Sequence, residues 1–514
     1  MTRIRPAPGV EGPDTASALQ LARNAFNLVL GQSGTMVLGI LFNALLGRAL
    51  GAGDFGLYFL VNTFAGFALV LVDWGQQYYG IREVARAPER GGDLLGTGLV
   101  LRSVGTLAVS VPTALTAWAL GYDHRTIWFT VVFLILNIPF FLAQNFGIVF
   151  RARDHMNLDA MVSVTNRAAG LVLAVGALTL GFGLGGALVG QGLGGLVALL
   201  LAARLYAGVY SRPLRFSLTT AREILTGGTA LVLMLIAVAV QPYVDAVLLS
   251  KLVPKEVVGW YAAAKSIMGT LLAPAIILGS AAFPRLSRAN RDPSLFRSEF
   301  TTAQRPMLWL GGLTAVGTWL FADVAIRVVY GRHGFAPSGI ILQIFGLGLF
   351  LIFVDVLIGT ALTSVDRAGS FAGLKIGSVV LSLGLELALI PYFQHRWGNG
   401  GIGVTVATGL SELLVFSGGL WMLPRGTLDA AVFVDFARAL GSGLLTAVAF
   451  HWLPALPPWL GIPLCIALFA VCSAVFGLLR RDDLRLLKAL FERRQGTPEA
   501  TTPAVSSGSS PVDS

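Results

Sequence analysis

The chain is a succession of long apolar runs separated by short polar turns, and the first pair shows the pattern. Residues 25–47 carry no charge, residues 48–56 form a glycine-rich turn, and residues 57–72 are apolar again. A helix of about 20 residues is roughly 30 Å long, which matches the hydrocarbon core of a bilayer. Because lipid does not tolerate unpaired backbone groups, two such runs joined by a tight turn predict a transmembrane helical hairpin.

Fourteen apolar runs of this kind follow one another, and most of the charge lies in the turns. Only 12% of the 514 residues are charged, whereas soluble domains carry about 25%. The sequence therefore predicts an all-α polytopic membrane protein. The predicted spans cover residues 25–47, 57–75, 94–120, 127–150, 158–181, 184–207, 226–250, 258–283, 307–326, 338–362, 368–391, 400–423, 432–452 and 458–479.

The basic residues are distributed unevenly between the two sides of the predicted bundle. With the N-terminus inside, most of the 37 lysines and arginines, Lys375 among them, fall on the inside loops and termini. Basic loops remain on the cytoplasmic side of a membrane. This predicts a multi-pass protein of the cell inner (cytoplasmic) membrane with both termini in the cytoplasm. The formal charge of +10 then reflects orientation, and no nucleic-acid partner is expected.

An internal repeat relates the first hairpin to the seventh and eighth spans. A shift of 203 residues places Arg48 on Lys251, Gly56 on Gly259, Tyr58 on Tyr261 and Asn62 on Lys265. Because six spans separate the copies, both run in the same direction, which predicts two six-helix lobes in parallel repeat plus two C-terminal helices. The predicted parts are a cytoplasmic segment (1–24), the N-lobe (25–208), an inter-lobe linker (209–225), the C-lobe (226–423), spans 13 and 14 (424–479), a basic amphipathic helix (480–494) and a disordered tail (495–514).

The first hairpin and the segment that follows it also contain a recognisable sequence pattern. It comprises Asn-x-x-Asn at 24–27, Leu-Gly-Arg-Ala-Leu-Gly-Ala-Gly-Asp-Phe-Gly-Leu-Tyr at 46–58, Val-Asp-Trp-Gly at 72–75 and Arg-Glu-Val-Ala-Arg at 82–86. This pattern resembles the N-terminal region of the polysaccharide transporters. These are the O-antigen-type lipid-linked oligosaccharide flippases of the multidrug/oligosaccharidyl-lipid/polysaccharide exporter superfamily.

The resemblance implies a flippase, and not an enzyme, that moves a polyprenyl-diphosphate-linked oligosaccharide across the membrane by alternating access. It implies a cationic cavity between the two lobes. It also implies that the partners are the lipid-linked oligosaccharide, membrane lipid, and polysaccharide polymerases or glycosyltransferases of the same biosynthesis.

Basic residues within or at the ends of spans are the candidates for substrate binding. Charged groups in a membrane cost several kcal/mol, so they face a cavity or a partner. Arginine and lysine are the side chains that bind phosphate, which favours contact with a diphosphate. The cationic set is Arg48, Arg102, Arg167, Lys251 and Lys265. Two alternatives stay open: Arg102 reaches the inner surface along its span, and Lys265 forms an ion pair with Asp245, which lies at similar depth.

Acidic residues within spans are the candidates for ion coupling. Asp245, Asp355, Glu386 and Glu412 lie in the predicted C-lobe, where a buried carboxylate can bind H⁺ or Na⁺. Ion pairing and hydrogen bonding to sugar are the alternatives. No catalytic motif, metal cluster or other cofactor is indicated, because the five histidines are scattered along the chain.

Three rival functions differ from the flippase in what they require of the chain. A drug/cation antiporter of the same superfamily requires an acidic cavity for a cationic ligand. A lipid II flippase differs only in its cargo. A membrane glycosyltransferase or polymerase requires a sizeable outside loop with catalytic carboxylates, and the short outside loops count against it.

Overall fold

The computed structural model describes residues 15–210, 212–331, 334–453 and 456–479, and the regular elements in these ranges are all helices. The predicted helix at 480–494 and the predicted disordered tail at 495–514 lie outside the described residues. The helices are α1 (Thr15–Asp73), α2 (Gln76–Arg86), a 3₁₀ turn (Pro88–Arg90), α3 (Gly91–Ala119), α4 (His124–Leu136), α5 (Ile138–Ala152), α6 (Met156–Thr179), α7 (Gly183–Val209), α8 (Leu218–Leu252), α9 (Lys255–Leu271), α10 (Ala273–Ala289), α11 (Pro293–Tyr330), α12 (Ser338–Ser364), α13 (Ala368–Trp397), α14 (Gly401–Met422), α15 (Ala430–His451) and α16 (Pro458–Val475).

These helices confirm the predicted all-α polytopic class. Among the described residues, twelve helical stretches are long and apolar enough to cross a membrane. One of them, Gly34–Arg86, contains residues 34–47 of the first predicted span and all of the second. The predicted seventh span lies in α8, part of which is outside the residues described in full. The first helix begins at Thr15, ten residues before the predicted start of the first span.

Helix α1 is two helices joined at Gly51. This residue has φ 72° and ψ 174°, a backbone conformation that favours glycine. Sixteen residues separate Phe42 from Tyr58, so a straight helix would hold them about 24 Å apart. Their ring centroids are instead 6.0 Å apart. The chain therefore reverses at Gly51, and the segment after it, residues 52–73, packs against the segment before it.

The helices pack in two groups and an appended pair. Helices α1 to α7 pack mainly against one another, and α10 to α14 do likewise. Helices α8 and α9 lie at the junction, because each packs on α1 as well as on the second group. The pair α15 and α16 packs on α11. Asp435 holds this pair in place, because its buried carboxylate accepts from Arg305 of α11 at 3.1 Å and from Arg438 at 2.8 Å. The exact lobe boundaries stay a prediction.

The contact between α1 and α9 is reciprocal. A Cβ atom added to Gly56 would overlap the carbonyl oxygen of Lys255, and one added to Gly259 would overlap the carbonyl oxygen of Ala52. Both the two glycines and the two carbonyl residues are 203 residues apart in the chain. Equivalent positions that contact each other in this way lie about a local two-fold axis, which supports the predicted parallel repeat.

The lobes also meet through the α3–α4 and α8–α9 turns, on the side predicted to be outside and here named the outer side. Lys255 Nζ lies 2.7 Å from the Asp123 carboxylate, and the Tyr122 and Ser250 hydroxyls are 2.5 Å apart. Together with the glycine contact, these bonds close the outer ends of the two lobes.

Candidate functional site

Polar side chains from four parts of the N-lobe line a pocket of about 130 Å³ midway along its helices. Arg167 lies eleven residues after the start of α6 and twelve before its end. The chain breaks between α4 and α5 at Asn137, where Pro139 begins the new helix without needing a backbone donor. The pocket, called here the N-lobe pocket, is lined by Asn62, Asn137, Asn166, Arg167 and Gln191, with Phe133, Phe140 and Phe141 among the apolar lining residues.

Arg167 is the accessible charge of this pocket. Its side chain is exposed, and within the described ranges no carboxylate lies within 4 Å of its guanidinium. Tyr58 lies within electrostatic range of Arg167 and donates to Gln191 Oε1 at 3.4 Å. The guanidinium is therefore available to a ligand. Its predicted role as a substrate contact remains a prediction.

Arg102 has a different environment from the one predicted for a cavity cation. Its side chain is buried, with 1% of its surface exposed. It is ion-paired with Asp73 and donates to the Phe141 carbonyl oxygen at 2.9 Å. It neither reaches the inner surface nor offers its charge to a ligand, because it is buried and its charge is already paired with Asp73. The substrate role predicted for Arg102 stays a prediction that this geometry disfavours.

A cluster of opposite character lies in the C-lobe at a similar depth. Lys265 lies ten residues after the start of α9, and Asp245 and Glu386 lie seven and eleven residues before the ends of α8 and α13. The two carboxyl groups are neighbours, and both lie within electrostatic range of Lys265. These three residues are called here the C-lobe cluster.

The C-lobe cluster is enclosed and only partly hydrogen-bonded. Asp245 is 4% exposed and Glu386 is fully buried. Glu386 Oε1 accepts from the Ser382 hydroxyl at 3.1 Å, but Asp245 Oδ1 and Glu386 Oε2 accept from no donor group among the described residues. The two carboxyl groups lie within hydrogen-bonding reach of each other, so one proton can bridge them. Lys265 Nζ donates to the Tyr261 hydroxyl at 3.1 Å and to the Pro242 carbonyl at 3.4 Å. Lys265 and Asp245 are thus electrostatic neighbours without a direct ion pair.

The other two predicted carboxylates form a separate group. Lys375 Nζ lies 2.6 Å from the Asp355 carboxylate and 3.5 Å from that of Glu412. Lys375 lies within α13, although the orientation count places it with the inside loops. Its charge compensates part of the negative charge of these buried groups, which were predicted as ion-coupling residues. Among the described residues, no three His, Cys, Asp or Glu side chains gather closely enough to hold a metal ion.

The two cations predicted at the outer mouths lie apart from both sites. Arg48 donates to the carbonyl oxygens of Val328 and Val329, the latter at 2.9 Å, so it caps the last turn of α11. Lys251 Nζ lies 3.4 Å from the centroid of the Tyr122 ring in an exposed pocket of about 230 Å³.

One helical segment touches both central sites. In residues 52–73 of α1, Tyr58 bonds to Gln191 of the N-lobe pocket. The next residue, Phe59, lies 6.1 Å from the ring of Tyr261 and 5.9 Å from Lys265 Nζ. The N-lobe pocket and the C-lobe cluster are thus opposite sides of a single wall between the lobes.

The helical fold is similar to the folds of two solved membrane transporters. The structure is similar to that of the lipid II flippase MurJ in an inward closed conformation, with TM-score 0.65, 13% sequence identity, and coverage of 91% of this chain and 99% of that one. It is also similar to an inward-facing multidrug resistance MATE family transporter of the MOP superfamily, with TM-score 0.59, 16% identity, and coverage of 75% and 93%. This confirms the predicted superfamily fold.

Residues 21–290 match the family described as "Polysaccharide biosynthesis protein", and the chain belongs to that family. A curated relative, the probable low-salt glycan biosynthesis flippase Agl15 of Haloferax volcanii, is 24% identical over 402 residues, which cover 76% of this chain and 81% of the relative. The predicted class, a multi-span transporter associated with polysaccharide biosynthesis, is therefore confirmed.

Proposed function

We propose that this protein is a flippase that moves a polyprenyl-diphosphate-linked oligosaccharide across the cytoplasmic membrane. The observation that carries this proposal is Arg167, an exposed guanidinium at mid-span with no carboxylate partner among the described residues. A guanidinium binds phosphate oxygens through two parallel hydrogen bonds. An anionic head group entering between the lobes would supply the partner that Arg167 lacks.

The relatives support a lipid-linked cargo. Agl15 is described as a probable glycan biosynthesis flippase and MurJ as a lipid II flippase. Family membership associates the chain with polysaccharide biosynthesis. The polymerases or glycosyltransferases expected as partners, the inner-membrane location and the cytoplasmic termini belong to the same proposal.

An apolar groove on the C-lobe suits the lipid tail. It lies between α11, α12 and α15 and has a volume of about 390 Å³. Its lining is aliphatic and aromatic, and it includes Trp319, Leu347 and Leu444, whose side chains are substantially exposed. A polyprenyl chain gains nothing by leaving lipid for water, so a groove open to lipid lets the tail follow the head group.

No covalent chemistry is needed in this mechanism. A charged, sugar-bearing head group crosses hydrocarbon only at a large desolvation cost, and polar side chains at mid-depth replace part of its water. Release on the outer side requires the contact at Gly56 and Gly259 to separate. The C-lobe cluster is the proposed coupling site, since H⁺ or Na⁺ binding would compensate its two neighbouring carboxylates.

The distribution of exposed charge disfavours the drug/cation antiporter. A cationic ligand requires a carboxylate that it can reach, whereas Asp245, Glu386 and Asp355 are all buried. The exposed charge in the N-lobe pocket is the positive one of Arg167.

The direct test is transport by the full chain in proteoliposomes. A labelled polyprenyl-diphosphate sugar is placed in one leaflet, and its appearance in the other leaflet is measured over time. We expect the wild-type protein to speed this movement and Arg167→Gln to slow it at least tenfold, because one charge-assisted hydrogen-bonding partner is lost.

The matched control is Arg204→Gln, which removes an exposed arginine of α7 that does not line the N-lobe pocket. It should leave the rate near that of the wild type. A wild-type protein that does not move the labelled lipid, or an Arg167→Gln variant as fast as Arg204→Gln, would contradict the proposed function.

A further inference from the structure

The N-lobe pocket contains more than a cation. Four carboxamide side chains reach it from four positions along the chain, namely Asn62, Asn137, Asn166 and Gln191. No carboxylate is among its described lining residues, so Arg167 is its formal charge. Polar side chains within spans are costly and usually serve a ligand or a partner. One phosphate contact would account for Arg167 but would not account for four neutral amides.

Two of the amides are held in fixed orientations. Asn62 Nδ2 donates to the Tyr58 carbonyl oxygen at 2.9 Å, and Asn137 Nδ2 donates to the Phe133 carbonyl oxygen at 2.7 Å. Each bond uses one N–H group of the amide and leaves the second N–H group as a donor and the side-chain oxygen as an acceptor. Two oriented acceptors therefore belong to the pocket beside these donors, and a phosphate would leave the acceptors without a partner.

The other two amides supply donors. Gln191 Oε1 accepts from the Tyr58 hydroxyl, so the Gln191 NH₂ group remains for a ligand. Asn166 is only 9% exposed, and its amide makes no side-chain hydrogen bond to the part of the chain that the structure describes. The pocket thus offers donors and acceptors side by side without a second charge.

A neutral sugar ring matches this arrangement. Each sugar hydroxyl both donates and accepts, as the four amides require, and its C–H faces suit the aromatic rings of Phe133, Phe140 and Phe141. An acidic sugar would place a carboxylate beside the amide oxygens of Asn62 and Asn137. The volume of about 130 Å³ is below the range of sites that enclose a whole ligand, which suits one ring of a longer cargo.

We infer that the N-lobe pocket is a subsite for a single neutral monosaccharide unit, the one attached to the diphosphate that Arg167 binds. This inference rests on the proposed function and adds specificity to it. The four amides select hydroxyl-bearing neutral sugars over acidic sugars and over lipid diphosphate without sugar.

The test compares three probes in proteoliposomes that contain the full chain. The probes are a polyprenyl diphosphate, the same lipid bearing one neutral hexose, and the same lipid bearing one hexuronic acid. The rate of transfer between leaflets is measured for each. We expect the wild-type protein to move the hexose lipid at least fivefold faster than the other two, since one net hydrogen bond corresponds to about a fivefold change.

Two variants locate the selectivity. Asn166→Leu and Gln191→Leu should each lower the ratio of the hexose rate to the bare-diphosphate rate about fivefold. The bare lipid thus serves as an internal measure of folded protein. The matched control is Gln343→Leu, which removes an amide of α12 that bonds to the Trp319 carbonyl outside the pocket, and it should keep the hexose preference.

If a leucine variant moves no probe, the smaller and uncharged Asn166→Ala decides. The inference predicts that this variant lowers the ratio of the hexose rate to the bare-diphosphate rate about fivefold. Equal rates for hexose and bare lipid in the wild type, a preference for the uronic acid, or a hexose preference that is undiminished in Asn166→Leu or Asn166→Ala would overturn the subsite. These outcomes leave the flippase proposal intact, whereas a wild-type protein that moves none of the probes contradicts the flippase proposal itself.

Discussion

The N-lobe pocket and the C-lobe cluster lie at similar depths on either side of residues 52–73 of α1, but they use polar groups in opposite ways. The N-lobe pocket is neutral apart from one exposed guanidinium, and its amides have spare hydrogen-bonding capacity. The C-lobe cluster is enclosed and holds two neighbouring carboxylates beside Lys265. The repeat contributes Asn62 to the first site and Lys265 to the second.

This difference indicates that the two sites are suited to different ligands. An exposed, unpaired charge costs little to keep and is ready for a ligand, whereas buried carboxylates require compensation within the protein or by an ion. The N-lobe pocket therefore suits the proposed cargo, and the C-lobe cluster suits the proposed coupling ion. The predictions below test whether the two lobes differ in this way.

The largest effect is expected on stability, and only in the C-lobe. Lys375→Met leaves the buried carboxylates of Asp355 and Glu412 without their cation, which should destabilise the protein by about 3–5 kcal/mol. Arg167→Met leaves no buried charge unpaired and should change stability by less than about 0.5 kcal/mol. Thermal unfolding of purified protein measures both variants. Adding Asp355→Asn to Lys375→Met should restore part of the lost stability. Equal unfolding temperatures for Lys375→Met and Arg167→Met would contradict the proposed difference between the two lobes.

The next effect concerns ion coupling. Glu386→Gln removes one of the neighbouring carboxylates of the C-lobe cluster without changing its size. A gradient with a driving force of 1.4 kcal/mol can change the ratio of driven to undriven transport rates about tenfold in the wild type. We expect Glu386→Gln to lose most of this response to an imposed proton or Na⁺ gradient. Flux with and without each gradient checks this. A variant that responds to both gradients as the wild type does excludes Glu386 as a coupling group.

A smaller effect is expected from a conservative change in the N-lobe pocket. Arg167→Lys keeps the charge but loses the planar fork that binds phosphate through two bonds. Transport should fall about fivefold, corresponding to roughly one net hydrogen bond, and should remain above that of Arg167→Gln. Initial rates over a range of lipid concentrations measure this. Identical rates for the lysine and glutamine variants would show that the charge of Arg167 is not used.

The smallest effect is expected at the outer contact between the lobes. Partial burial works against ionisation of Asp123, but the hydrogen bonds from Lys255 and Thr126 prevail and lower its pKa to about 2. The contribution of Asp123 to stability is thus fully present above about pH 4 and is lost as the pH falls through about 2. Because the pair is exposed, Lys255→Gln should cost only about 0.2–1 kcal/mol.

This variant also separates the outer contact from the C-lobe cluster. Between pH 5 and 8 the Asp123 carboxylate stays ionised, so Lys255→Gln should leave the pH profile of transport unchanged. A pH profile recorded with wild-type and Lys255→Gln protein checks this expectation. A shift of the profile in Lys255→Gln would assign pH sensitivity to the outer contact.

The fold was predictable because hydropathy alone determines where helices cross a bilayer. The ion-pair partners of the charged residues could not be predicted from hydropathy. Arg102 and Asp73 are 29 residues apart, and Lys375 meets Asp355 and Glu412 from another helix. No periodicity within a single span indicates these pairs.

The amides of the N-lobe pocket were missed for a related reason. A lone asparagine in a span carries no charge, so Asn166 and Gln191 do not stand out from helix-packing residues. Their convergence depends on how α1, α6 and α7 pack and on the break at Asn137. The sequence did contain one signal, the Asn137-Ile138-Pro139 interruption in the middle of a predicted span.

The reciprocal contact of Gly56 and Gly259 limits how the two repeats can diverge. Each glycine rests on main-chain atoms of the other copy, and main-chain atoms cannot be mutated to make room for a new side chain. A larger residue in one copy therefore cannot be accommodated by a substitution in the other copy, so both positions must remain glycine. Six residues further along each copy, the equivalent positions are Asn62 and Lys265, whose side chains lie in the two different sites and whose identities differ.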